Sequence, residues 1–146
     1  MTNQKGGGLG GVMHLFGSEE WLKEVTVRID EEFPKQQCGR DASVIIQFSI
    51  GSHDNPNPIS FWFNIEKGKV KEFGTGENEK WNARVEGDPD IWKQIVDRNL
   101  DPLEAIMSKE LLLEGDMQNI IKNARGLSCL IEIIAEVPTQ FGANFK

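Results

Sequence analysis

Hydrophobic residues recur along this chain with two different periods, and the switch between them separates helical ends from a β-rich middle. Near the start, Leu22, Val25, Ile29 and Phe33 return every three or four residues while Lys23, Glu24, Arg28 and Glu31 fall between them. One apolar face and one charged face predict an amphipathic helix. Ser18 supplies an N-cap, Glu19 and Glu20 suit the positive end of the helix dipole, and Pro34 is expected to stop the helix.

The period then drops to two. Val44, Ile46, Phe48 and Ile50 alternate with Ile45, Gln47 and Ser49, and Ile59, Phe61, Phe63 and Ile65 alternate with Ser60, Trp62, Asn64 and Glu66. Both runs read as strands with one strongly buried face. Between them lies a turn-dense segment, 51–58, and Lys67-Gly68 is a tight-turn signal leading into a hairpin partner at 69–73. Beyond the polar stretch 74–80, Trp81, Ala83 and Val85 alternate with Asn82, Arg84 and Glu86 as a fourth strand. Short connections among four strands predict an antiparallel meander.

Helical signals return at Asp88-Pro89 and Asp101-Pro102, each an N-cap carboxylate before a proline in the first turn. Glu104 adds the third position of a capping box. The first of these helices carries Ile91, Trp92, Ile95 and Val96 on one side, and the second is expected to bury Leu103, Ile106 and Met107. Leu111 to Leu113 reads as a short strand closed by Gly115. Asp116 caps a last helix with Met117, Ile120, Ile121, Ala124, Leu127, Ile131 and Ile134 in register, loosened at Gly126. Past Gly126, Cys129, Leu130 and Ile133 widen the apolar stripe beyond one face. Such a helix must line a cavity, pack under a neighbour or meet a second subunit.

Composition and charge narrow the chemistry. A chain of 146 residues with four Trp and eight Phe is long and apolar enough for one folded domain. The expected organisation is a flexible Gly-rich N-terminal arm over 1–17 followed by a single α/β domain over 18–146. A formal net charge of -7 argues against nucleic acid or an anionic membrane as main partner, and Lys67 to Lys71 is too short a basic cluster to change that. No run of apolar residues is long enough to span a bilayer, so no stable membrane insertion is expected. Cys38 and Cys129 lie too far apart for a CxxC pair and are read as free thiols of a reducing compartment. With no leader pattern at the N-terminus, the expected location is cytoplasmic.

Catalytic motifs are missing from the sequence. Gly6, Gly8 and Gly11 formally match GxGxxG, but no strand precedes them to build a phosphate cradle. His14 and His53 have no nucleophile beside them in sequence, and metal-ligand spacings are absent, so neither metal nor cofactor is expected. Asp88, Asp101 and Asp116 sit where helix caps belong, which explains them without acid–base chemistry. Trp62, Trp81 and Trp92 serve equally as core or as pocket lining. The chain is not expected to be an enzyme.

The run Leu100-Asp101-Pro102-Leu103-Glu104-Ala105-Ile106-Met107-Ser108, followed by Leu111, Leu113 and Gly115-Asp116, resembles the sterol carrier protein family, the non-specific lipid-transfer proteins. The resemblance extends from Ile59 to about Arg125 and includes the Asp88–Ile95 segment. Two departures stand out: Lys109 occupies a position where the family commonly has Gly, and the chain ends without a peroxisomal Ser-Lys-Leu address. The resemblance implies an α+β fold, a five-stranded mostly antiparallel sheet covered by helices and enclosing an apolar tunnel. It also implies intracellular carriage of a fatty acid, fatty acyl-CoA, phospholipid or sterol, without chemistry. The residues expected to line the tunnel are Phe61, Phe63, Trp92, Ile106, Met107, Met117, Ile120, Ile121 and Ala124. The alternative is a protein-interaction or homodimerisation module, joined through the apolar surface 127–137 of the C-terminal helix, with a vestigial cavity.

Overall fold

The computed structural model describes residues 13–36, 43–51 and 59–141. The Gly-rich match at Gly6, Gly8 and Gly11, together with His53 and Cys38, lies outside them. In chain order the elements are β1 (His14–Leu15), α1 (Glu19–Gln36), β2 (Val44–Ile50), β3 (Ile59–Glu66), β4 (Lys69–Thr75) and β5 (Ala83–Gly87). There follow α2 (Pro89–Val96), α3 (Pro102–Met107), β6 (Leu112–Gly115), α4 (Met117–Lys122), α5 (Ala124–Glu136) and β7 (Thr139–Gln140).

The first helix forms much as its period predicts, with Trp21, Leu22, Val25, Ile29 and Phe33 all buried. Ser18 caps it, its Oγ accepting from Trp21 N at 3.2 Å. Pro34 does not stop it. The helix runs on to Gln36, because a proline in the last turn removes one i→i−4 bond without unwinding the turns before it.

Strands β2 to β6 form a mostly antiparallel sheet in the order β4-β3-β2-β5-β6. The expected hairpin is present, with Lys67 (φ 52°) and Gly68 (φ 78°) both left-handed, as the favoured two-residue hairpin turn requires. The meander is not. After β4 the chain crosses back over the sheet, and β5 pairs in parallel with β2, opposite β3. Gln47 fixes that crossing. It is fully buried on the outer face of β2, donates Nε2 to the carbonyls of Phe61 (3.2 Å) and Gly76 (3.0 Å), and accepts from Asn78 N at 2.8 Å. A buried amide with donor and acceptor both engaged ties the crossing loop to the sheet. Asn82 finishes the connection, accepting from Ile45 N at 2.8 Å just before β5 begins.

The last helix is two. Asn123 leaves helical geometry between α4 and α5, and its Nδ2 bonds Asn119 O at 2.9 Å while its Oδ1 accepts from Ser43 N at 3.1 Å. Asn competes with the helix backbone in this way, so the break falls there and Gly126 sits inside α5. The large apolar side chains on several sides of α5 and its C-cap are covered within this chain: Leu127, Cys129, Leu130, Ile131, Ile133, Ile134 and Val137 are buried. The helix packs against α1, α2, α3 and α4. The surface expected to join a second subunit is therefore interior, and the homodimer expectation loses its basis.

Residues 13–17 also depart from the expected flexible arm. β1 pairs in parallel with β7, and Phe16 enters the core beside Trp21, with ring centroids 4.7 Å apart. Trp21 Nε1 donates to Thr139 Oγ1 at 3.0 Å, tying α1 to the C-terminal strand. Cys129 is disulfide-bonded, which corrects the reading of free thiols; Cys38, the other cysteine of the chain, lies outside the described residues. No described helix is long and apolar enough to cross a membrane.

Candidate ligand-binding site

The inner face of the sheet and the helices above it enclose an aromatic interior. Pleating sends Phe48 of β2 and Phe61 and Phe63 of β3 to the same face, and α2 lowers Trp92 onto them. Phe48 stacks on Phe61 at 5.1 Å and meets Trp92 edge-on at 5.6 Å, and Phe61 meets Phe63 edge-on at 6.0 Å. These side chains are fully buried, and offset or edge contacts of this kind are the favourable ones for aromatic rings.

The nine residues expected along a tunnel fall into three groups. Phe61, Phe63, Trp92 and Ile120 are buried in this interior. Ile106 is half-buried against it. Met107, Met117, Ile121 and Ala124 are exposed, Met107 by 76%, Ile121 by 70% and Met117 by 59%. Leu103 on α3 is also exposed, as is Leu112 of β6, which pairs with Glu86 and so lies on the outer face of the sheet.

The exposed group corrects the burial expected from the helical pattern. In α3 only Pro102 and Ala105 turn fully inward, which leaves Leu103 and Met107, four residues apart and hence on one line of the helix, facing water. In α4 only Ile120 is buried, and Met117 and Ile121, four residues apart, share a line beside it that faces water. Scattered exposed hydrophobics are ordinary, but five large ones within the 103–121 segment are a concentration that calls for a ligand or partner.

The acidic residues behave mainly as caps. Asp101 Oδ2 accepts from Glu104 N at 3.1 Å, and Asp116 Oδ1 accepts from Gln118 N at 3.1 Å. Asp88 occupies the N-cap of α2 but makes no side-chain cap bond, so its expected role is not realised. Among the described residues no group of three or more His, Cys, Asp or Glu is arranged to hold a metal. Trp62 and Trp81 are half-buried, away from the fully buried set that includes Trp92 and Trp21.

Residues 35–127, well over half of the chain, match the model of the SCP-2 sterol transfer family. The chain belongs to that family. The described fold agrees: a crystal structure of sterol carrier protein 2 superposes with a TM-score of 0.71 at 18% identity, covering 84% of this chain and 98% of its own. A solution structure from Thermus thermophilus, of a conserved hypothetical protein described as possibly a sterol carrier protein, gives 0.69 at 18% identity, with 92% and 96% covered. The solution structure of a palmitated sterol carrier protein 2-like 2 from Aedes aegypti gives 0.54 at 18% identity, with 77% and 92% covered. No curated protein is significantly similar in sequence. Membership of the SCP-2 family places the chain in a class of lipid-binding and lipid-transfer proteins, and identities this low carry the fold alone.

The family departure at Lys109 has a structural counterpart. Lys109 adopts φ 65° immediately after α3, a left-handed conformation that glycine takes without a Cβ penalty. The turn is therefore built in the glycine geometry with a lysine in it.

Proposed function

We propose that this protein binds and carries a lipid or other apolar ligand, with Phe61, Phe63, Trp92 and Ile120 as the floor of the site. Ile106, Met107, Met117, Ile121 and Ala124 form its rim in this reading. The observation that carries it is the pairing of a buried aromatic interior with exposed apolar side chains on α3 and α4, in a chain of the SCP-2 sterol transfer family. An apolar ligand seated on that rim recovers about 25 cal/mol for each Å² withdrawn from water, with no need of charge. Two methionines at the rim suit ligands of varied shape, since the thioether side chain adapts to irregular surfaces. Fatty acids, fatty acyl-CoA, phospholipids and sterols are the candidate cargo classes, and the palmitated relative from Aedes aegypti makes palmitate the first to try.

The reading assigns binding and no bond-making step. The cytoplasmic expectation rests on the reading of free thiols as well as on the N-terminal pattern, and the disulfide at Cys129 removes the first of these grounds, because oxidising compartments favour such bonds.

Native mass spectrometry of the purified chain, followed by solvent extraction, tests the proposal. A co-purified lipid, or uptake of added palmitate or palmitoyl-CoA near one per chain, is the expected result. A protein that arrives empty and takes up neither overturns it.

A further inference from the structure

Among the described residues, buried polar side chains are paired, with one exception. Gln47 satisfies its amide on the sheet, Trp21 donates to Thr139, and Asn123 holds Ser43 and Asn119. The indole N–H of Trp92 has no partner, although the side chain is fully buried. Leaving such a donor unmatched costs about 1–3 kcal/mol, so an interior that otherwise pairs its polar atoms is incomplete at this point.

The surroundings define what completes it. A Cβ built on Gly87, the last residue of β5, would lie 3.2 Å from Trp92 Nε1, 2.6 Å from Leu111 Cδ2 and 3.5 Å from the Glu110 carbonyl oxygen. The donor therefore sits where β5 ends, beside the backbone of Gly87 and the approach to β6. The ring behind it packs on Phe48 and, at 6.3 Å, on Phe16. An indole N–H only donates, so its partner is an acceptor. The buried polar and charged set among the described residues is Gln47, Ser49, Asn123 and Thr139, with no Lys or Arg. A carboxylate brought to Trp92 would be a buried charge facing one neutral donor, which costs far more than a single hydrogen bond returns. A neutral oxygen carries no such cost.

We infer that Trp92 is a specificity-determining residue of the lipid site, its indole N–H receiving a neutral oxygen acceptor, a hydroxyl or an ester carbonyl, at the buried end of the ligand. The inference rests on the carrier reading above and narrows its cargo. Ionised fatty acids bind with the carboxylate at the rim and leave Trp92 untouched.

The test follows the four tryptophan indole resonances of the 15N-labelled full chain by NMR, with Trp92 assigned in the wild type by NOEs to its neighbours. The additives are 1-hexadecanol, methyl palmitate, palmitate and hexadecane, with binding of each measured separately by probe displacement. The expected result is a downfield shift of the Trp92 indole with the alcohol, the ester or both, and none with palmitate or hexadecane. The two oxygen sources are told apart by which of them shifts it. W92F should weaken the shifting ligand by roughly five- to tenfold, the loss of one hydrogen bond, while hexadecane affinity changes less. If W92F does not fold, the wild-type titration alone decides. Binding of both the alcohol and the ester without movement of the Trp92 indole overturns this inference and leaves carriage standing. An equal shift with palmitate overturns the neutral-acceptor assignment. Failure of all four to bind overturns the carrier reading itself.

Discussion

Ile120 and Ile121 are neighbours in sequence with opposite environments, and the carrier reading predicts opposite outcomes when each becomes Asp. Ile121 is 70% exposed. Full burial of an isoleucine is worth about 1.5–3 kcal/mol, so the part already covered contributes on the order of 0.5–1 kcal/mol to folding. The larger remainder is available to a ligand, about 1–2 kcal/mol, or roughly five- to thirtyfold in affinity. A carboxylate facing an apolar ligand adds a desolvation cost, so Ile121→Asp should weaken binding by at least about tenfold. It should lower Tm by only a few degrees, since 1 kcal/mol corresponds to about 2–4 °C in a chain near this size. Ile120, at 5% exposure, carries the reverse expectation. Its truncation alone costs about 2–5 kcal/mol, and an unpaired buried carboxylate adds several more, against a whole-domain stability of about 5–15 kcal/mol. Ile120→Asp should be unfolded or nearly so. Circular-dichroism melts and displacement of a fluorescent acyl probe read both quantities. An Ile121→Asp protein with unchanged Tm and unchanged affinity would remove α4 from the site.

Three further perturbations probe the scaffold. Lys109→Gly relieves a left-handed lysine at φ 65°, worth about 1–2 kcal/mol, partly offset by about 0.5–1 kcal/mol of unfolded-chain entropy; Tm should rise, and a fall would show that Lys109 makes a compensating contact. Asn123→Ala leaves Ser43 N–H without its acceptor and should cost about 1–3 kcal/mol in a urea titration, whereas a change within error would make the α4–α5 break independent of that side chain. Cys129 should resist iodoacetamide in denaturant until a reductant is added, as read by peptide mass spectrometry; labelling before reduction would contradict the disulfide.

Local signals in the sequence were sound where a single element settles the outcome. The α1 stripe, the Ser18, Asp101 and Asp116 caps, the alternation in β2 and β3 and the Lys67-Gly68 hairpin all depend on neighbours a few residues away. Those features could be read from spacing because their energetics are local. What spacing does not contain is how strands are ordered. Alternation in β5 is the same whether it extends a meander or crosses to lie parallel beside β2, and the deciding contacts are Gln47 with Gly76 and Asn78, about thirty residues apart. Nor does an aromatic such as Phe16, in a Gly-rich leader, announce that it completes a core built from Trp21, Phe61 and Phe141.

The same limit divides the site. A helical apolar stripe is normally the face that a fold turns inward, so Leu103 reads as buried and Met107, Met117 and Ile121 as the lining of an enclosed tunnel. In short helices the geometry is looser: α3 and α4 have six residues each, and one or two inward side chains suffice to dock them. The rest of the stripe is then free to face a ligand. In the carrier reading, their exposure on these two short helices has its reason in the ligand they meet, since exposed apolar residues cost solubility without adding to folding. The buried end follows a complementary logic. A buried tryptophan carries an N–H that a phenylalanine of the same site would not, and Trp21 shows that donor used, with Thr139 as its acceptor. Trp92, equally buried and without an acceptor, marks the point at which the protein alone does not complete its own interior. Rim and floor thus make separate demands on one ligand: apolar bulk across α3 and α4, and a neutral oxygen beside Gly87.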